Sequence, residues 1–324
     1  MIFILKNMSK IIINYLGVSI GVSSGNERFL RYALKYFNGS RDFVDINLDA
    51  VIDVVFEKGY IFKPEIGKAV ESEIIFGENV GCDREEGLSF KFHELFVKFD
   101  FSQKTWKVSC SFEKIFLKHL ANVLFFKGWG VEEYYFRVIC RMVIQNILFM
   151  KLRLIQRCCL ISAAAIAIDG KAFVFAGYPG SGKTTIIGTL KEMFPSSIVL
   201  AENYVIIKDG LVHCFTEGKN EEFDLSFPVS KIFIISRSKR ISVRKISRDY
   251  FLSMLRSINQ YTAELPEHSP FVGATLINES FASVFFEDGF DKLPFDVDIN
   301  YLVADDGLVE FKNLFLNYFV IYDK

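Results

Sequence analysis

Cysteine is sparse and unpatterned. Cys82, Cys110, Cys140, Cys158, Cys159 and Cys214 are the only six in 324 residues, and no two form a C-x-x-C pair. That excludes a disulfide framework and argues against a zinc site. The opening MIFILKNMSK reads as neither a signal peptide nor an anchor, because its apolar stretch is short and no small-residue cleavage site follows. Reduced thiols and a cytoplasmic location are therefore expected. Charge of either sign is not in excess either: 38 basic against 39 acidic residues give a net charge of −1. Such balance excludes general affinity for nucleic acid or for acidic membrane, so any anion site has to be local. Apolar runs stop short of the roughly 20 residues that a bilayer-spanning helix needs. The two best, Met142 to Met150 and Cys158 to Ile168, are bounded by Arg141, Lys151, Arg157 and Asp169, and no membrane span is expected. Internal repeats and low-complexity linkers are absent.

What remains is a chain with 51% hydrophobic and 24% charged residues, enough apolar material for one large domain or two ordinary ones. The first part, residues 1–155, reads as a β-rich α+β region. It opens with the run IIINYLGVSIGVS, and Asn26 to Phe37 then carries Phe29, Leu30, Ala33, Leu34 and Phe37 on one helical stripe. Phe96 to Phe112 alternates around Ser102-Gln103-Lys104, the mark of a hairpin with an aromatic face. Helical stretches follow at Glu113 to Phe126 and, after Gly128-Trp129-Gly130, from Val131 to about Arg153. The 35 phenylalanines are many for this length, but aromatic residues at alternating strand positions are core by default.

The pattern changes in the second part, residues 156–324. Continuous apolar strands end in Gly-rich turns and feed helices, as in an α/β sheet covered on both faces. Strand 161–168 meets the turn Asp169-Gly170-Lys171, strand 172–176 meets Gly177, and a helix starts near Lys183 with Ile186, Ile187, Leu190 and Phe194 toward the core. SSIVLAE, the strand pair YVIIKDGLVHCF, the strand KIFIIS and a helix from Arg248 to Tyr261 with Ser247 as N-cap come next.

One motif is sharp. Gly177-Tyr178-Pro179-Gly180-Ser181-Gly182-Lys183-Thr184-Thr185 satisfies G-x-x-x-x-G-K-[ST] between a short apolar strand and a helix. A glycine-rich turn lets successive backbone N–H groups converge on an anion at the positive end of a helix. Lys183 is suited to place its charge against the β- and γ-phosphates, and the Thr184 hydroxyl to coordinate a Mg²⁺ that bridges them. The expected ligand is a nucleoside triphosphate, ATP or GTP, with Mg²⁺. A metal-holding or basic carboxylate is then expected at the end of a neighbouring strand, and Glu202 after SIVLA is the first candidate. Glu287 and Asp288, and Asp305 and Asp306, also close apolar runs, but each pair is followed by Gly as solvated turns commonly are.

The stretch ISAAAIAIDGKAFVFAGYPGSGKTTIIGTLKEMFPSSIVLAENYVIIKDG resembles the HPr kinase and phosphoenolpyruvate carboxykinase-like P-loop family. The resemblance covers about 50 residues well, and implies a P-loop-containing HPr-kinase-like core preceded by the β-rich region. It also implies ATP-dependent phosphorylation of a hydroxyl on a protein, peptide or small molecule, and by analogy a homo-oligomer. Two positions depart from the family pattern. Ser162 stands where members carry a histidine, and Glu202-Asn203 where they carry an Asp-Asp pair. Glu202 keeps a carboxylate for metal or base duty, whereas Asn203 cannot accept a proton near neutral pH and Ser162 cannot replace an imidazole. Lys183, Glu202, Asn203 and Ser162 are thus the positions where catalysis would reside, and a kinase or a catalytically degraded nucleotide-binding regulator are the two functional expectations.

Two further signals carry a plainer explanation. Arg237, Lys239, Arg240, Arg244, Lys245 and Arg248 give residues 237–248 a local excess of positive charge that would attract anions, although the alternation ISVRKIS fits a solvated hairpin face. The vicinal pair Cys158-Cys159 reads as buried packing.

Overall fold

The computed structural model describes residues 9–37, 47–56, 80–83, 87–92, 95–100, 105–112, 131–216, 225–237, 242–263 and 298–304. These residues combine helices with two mixed β-sheets. The described residues divide into two compact units, with the change at Gln156 to Arg157.

In the first unit, β1 (Lys10–Tyr15) and β2 (Val18–Ser24) form a hairpin closed by Leu16 and Gly17, whose φ angles are 49° and 79°. Two positive φ values in a two-residue loop match the twist of the flanking strands. Helix α1 (Glu27–Phe37) starts where Asn26 Oδ1 accepts the Phe29 N–H at 3.1 Å. Its buried side is Phe29, Leu30, Ala33, Tyr36 and Phe37. Tyr36 takes the place expected for Leu34, because its hydroxyl finds a partner in Gln145 at 3.2 Å and the ring can then be buried. Strands β3 (Ala50–Val55), β4 (Val80–Asp83), β5 (Gly87–Phe92), β6 (Leu95–Asp100) and β7 (Trp106–Phe112) complete a sheet ordered β1-β2-β3-β7-β6-β5-β4. The antiparallel pair expected over Phe96 to Phe112 is β6–β7.

The helix read as continuous from Val131 consists of α2 (Val131–Ile139), a π-helical segment Cys140–Gln145, and α3 (Asn146–Gln156). Asn146 Nδ2 donates to the Met142 carbonyl at 2.8 Å, a side-chain bond that competes with the regular ladder at this point. Apolar spacing cannot reveal such an irregularity.

The second unit begins with β8 (Cys159–Ile168) and β9 (Lys171–Ala176), joined by Asp169 and Gly170 at φ 49° and 77°. Both strands start earlier than the expected 161 and 172, at Cys159 and at Lys171. Helix α4 (Lys183–Met193), β10 (Ile198–Ala201), β11 (Tyr204–Lys208) and β12 (Leu211–His213) follow. Then come β13 (Ser226–Arg237), β14 (Ser242–Lys245), α5 (Arg248–Ala263) and β15 (Asp298–Ala304). Ser247 Oγ accepts the Tyr250 N–H at 3.3 Å, so Ser247 caps α5 as its sequence suggests.

Strand β8 is the axis of this sheet. It pairs antiparallel with β9 on one edge, and with β11 and β10 in succession on the other. Beyond β9 lie β13 and β15, both parallel to it, and then β14 antiparallel at the margin. All ten residues of β8 are buried, and alternation sorts them. Cys159, Ile161, Ala163, Ala165 and Ala167 pack with Phe251, Leu255 and Ile258 of α5. Ala164, Ile166 and Ile168 pack with Ile186, Ile187 and Leu190 of α4. A helix on each face explains why the sequence shows continuous apolar runs. Phe175 and Phe233 stack at 5.1 Å beneath α4.

The helix expected over Glu113 to Phe126 lies outside the described residues, as do Lys239, Arg240, Glu287, Asp288, Asp305, Asp306 and most of the tail. Among the described residues no helix is long and apolar enough to cross a membrane.

Candidate functional site

Strands β9, β13 and β15 are parallel, and β10 runs the same way as β9 because both are antiparallel to β8. Their carboxyl ends therefore share one edge of the sheet, where open α/β sheets hold ligands. At this edge β9 gives way to Gly177, and the glycine-rich loop carries the chain into α4.

Close packing dictates the residue types of the loop. A Cβ at Gly177 would lie 2.5 Å from Ser181 Oγ and 3.2 Å from the Ile235 carbonyl oxygen of β13, so a side chain there displaces the loop. Ser181 N–H closes a turn onto the Tyr178 carbonyl at 3.0 Å. Gly180 and Gly182 have φ of 76° and 97°, a region that side chains rarely enter. Pro179 and Gly180 are exposed at the tip, and Thr184 and Thr185 are exposed in the first turn of α4. Gly182 is the N-cap of α4 and supplies no side-chain cap, while its carbonyl accepts the Ile186 N–H at 3.0 Å. The helix thus presents an N-terminus without a side-chain cap at the loop.

Two groups in the loop are held in a costly state. The Ser181 hydroxyl is buried without a hydrogen-bond partner, and an unpaired buried hydroxyl costs about 1–3 kcal/mol. Lys183 Nζ turns back on the loop and donates to the Gly177 carbonyl at 2.7 Å and the Tyr178 carbonyl at 3.0 Å. Burial lowers the Lys183 pKa from 10.5 to about 8, since removing water disfavours the ammonium.

The structure brings Ser162 and Asn203 to the same place through the backbone. Gly177 N–H points to the Ser162 carbonyl at 3.5 Å, Ala163 N–H donates to the Asn203 carbonyl at 3.1 Å, and Tyr204 is paired with Ser162. Ser162 is buried, and by alternation its side chain shares a face with Ala164 and Ile166, the face covered by α4. Glu202 follows β10 directly and is half-buried, and Asn203 beside it is exposed. One expectation needs correction. Glu202 does not end a strand adjacent to the loop-bearing strand, because β8 intervenes between β9 and β10. The two-residue turn at Asp169-Gly170 forces β8 against β9, and two strand spacings place β10 about 10 Å from β9. An irregularity between Val199 and Ala201 marks β10 just before Glu202, a position where bulges commonly re-aim the next side chain.

Sequence reasoning missed Ser257 and Asn259 of α5. Tyr178 Oη and Ser257 Oγ lie 2.7 Å apart, and Asn259 binds the edge of β8 at two points. A signal existed: an Asn next to the buried Ile258 inside a helix is disfavoured unless its amide has work elsewhere. The basic strand β14 lies at the sheet margin beyond β15. Cys158 and Cys159 are buried thiols, and burial raises Cys158 to about 11, which fits packing. Among the described residues no group of His, Cys, Asp and Glu side chains gathers to hold a metal by itself.

The loop geometry generates a paired prediction. Gly182→Ala puts a side chain at φ 97° and should lower the unfolding free energy by about 1–3 kcal/mol. Gly188→Ala, in α4 with open space around an added Cβ, should raise it by about 0.5–1 kcal/mol. Urea denaturation of both variants checks the contrast, and equal effects would refute the assigned conformation. No protein-family model matches the chain and no curated protein matches it.

Proposed function

We propose that the second unit binds ATP or GTP with Mg²⁺ on the loop Gly177–Thr185 and transfers the γ-phosphoryl group to a hydroxyl of a protein, peptide or small molecule, in the manner of an HPr-kinase-like P-loop core. The observation that carries the reading is the loop itself. Two glycines at positive φ lead into a helix N-terminus without a side-chain cap, beside a buried hydroxyl without a partner and a lysine bonded to the loop's own carbonyls. Phosphate oxygens would meet the N–H groups, satisfy Ser181 Oγ and draw Lys183 off the carbonyls of Gly177 and Tyr178. Thr184 is the residue to hold Mg²⁺ directly, with Glu202 as the carboxylate for its water shell or for the acceptor hydroxyl. The metal, when bound, neutralises charge on the phosphate oxygens. Lys183 and the backbone N–H groups orient the phosphates, and Glu202 takes the acceptor's proton.

A second reading has its own support. Ser162 and Asn203 flank the loop entry where the resembling family keeps groups that titrate. A chain that retained nucleotide binding and lost turnover, acting as a regulator or scaffold, would show these exchanges.

The two readings separate on product. Purified chain incubated with Mg·ATP for several hours should form ADP, with water as the slow acceptor. Glu202→Gln should reduce that rate by about 10²-fold or more while leaving nucleotide affinity within a few-fold. Stable ATP occupancy with no ADP, and no transfer to any added hydroxyl acceptor, would favour the regulator.

Affinity also depends on pH, and the sign follows from Lys183. The bound triphosphate requires the ammonium, and the free site loses it above about pH 8. Below that pH the affinity should be flat. Above it, binding must take up a proton, and the dissociation constant should rise up to tenfold per pH unit. Lys183→Arg, which stays charged, should flatten the profile, and an unchanged slope in that variant would assign the titration elsewhere.

A further inference from the structure

The departure of β9 from the sheet leaves a gap beside β8, and the gap is filled by one side chain. In β8, residues of even number from Leu160 to Ser162 turn their N–H and C=O groups to the β9 edge, because Ser162 O faces Gly177 N–H there. β9 pairs with β8 only from Ala163 onward. Beyond that point Asn259 of α5 takes over. Ser162 N–H donates to Asn259 Oδ1 at 2.9 Å, and Asn259 Nδ2 donates to the Leu160 carbonyl at 2.8 Å. Had β9 run on antiparallel, the Gly177 carbonyl would take the Ser162 N–H, while the Leu160 carbonyl would face Pro179, which has no N–H to give; the Asn259 amide supplies both the acceptor and the donor. Two residues earlier on the same helix, Ser257 Oγ meets the hydroxyl of Tyr178, the second residue of the loop.

We propose that Asn259 is a positioning residue for the glycine-rich loop: its amide takes the Ser162 N–H and the Leu160 carbonyl that β9 leaves unpaired, holds the β8 edge there, and so fixes where the chain leaves the sheet at Gly177. What the loop then binds rests on the nucleotide reading above. Without the amide, the Ser162 N–H and the Leu160 carbonyl lose this partner, and the loop entry is drawn toward β8, where the Gly177 carbonyl can take the Ser162 N–H. Such a shift alters the carbonyls of Gly177 and Tyr178, on which Lys183 rests.

The test compares the full-length wild type with Asn259→Ala, Asn259→Asp and Ile258→Val. The Asp variant is isosteric and keeps the acceptor for Ser162 N–H, but as a carboxylate it offers no donor to Leu160. Ile258→Val trims the buried face of the same helix without touching the β8 edge. Hydrogen exchange of the ligand-free chain should quicken about tenfold at Gly177 to Lys183 in both Asn259 variants and not in Ile258→Val. The dissociation constant for Mg·ATP should rise about tenfold in the same two variants alone. If Asn259→Ala does not fold, the Asp variant decides. Loop exchange or Mg·ATP affinity no different from Ile258→Val would overturn the proposal. Quickened exchange in a chain whose wild type binds no Mg·ATP would leave the positioning role standing and defeat the nucleotide reading alone.

Discussion

The two-residue turn Asp169-Gly170 allows β8 and β9 one arrangement, antiparallel and adjacent, and most of the second unit follows from it. With β8 fixed beside β9, the strands that run parallel to β9 have to be placed elsewhere, and they are: β13 on its far edge, β10 beyond β8. The carboxyl ends of these strands then meet at one margin. Alternation along β8 and β9 delivers apolar side chains to both faces, and α4 and α5 cover one face each. Because α4 must lie on its face of the sheet, the connection from β9 has to turn within the few residues from Gly177 to Gly182, which only glycines at positive φ allow.

That short turn concentrates strain and unsatisfied polarity at the margin. A buried Ser181 hydroxyl, a partly desolvated Lys183 and a helix N-terminus without a side-chain cap all cost stability in the ligand-free chain. A polyanion would relieve all three at once, which is the physical sense in which the loop is preorganised. The rigid sheet beneath supplies the support, with the Phe175–Phe233 stack directly under α4.

Much of this was legible in the sequence because it depends on local rules. The D-G turns, the continuous apolar strands, the glycine spacing of the loop and the Ser247 cap each rest on a few neighbouring residues. What escaped depends on pairing between distant segments. The apolar pattern of SIVLA marks a strand but carries no register, so it could not show that β8 separates Glu202's strand from the loop's. Tyr36 and Gln145 are 109 positions apart, and their bond decided which residues α1 buries. Asn259 meets Ser162 across 97 positions, and its role exists only because β9 ends where it does.

The central claim is that the loop Gly177–Thr185 is a triphosphate site whose charge is supplied by Lys183. Equilibrium titration of Mg·ATP into the wild type and into Lys183→Ala tests it most directly. The account predicts saturable one-to-one binding to the wild type and at least a tenfold loss in the variant, as expected for removing a charge-assisted bond. No binding to the wild type, or equal binding to both, would contradict it.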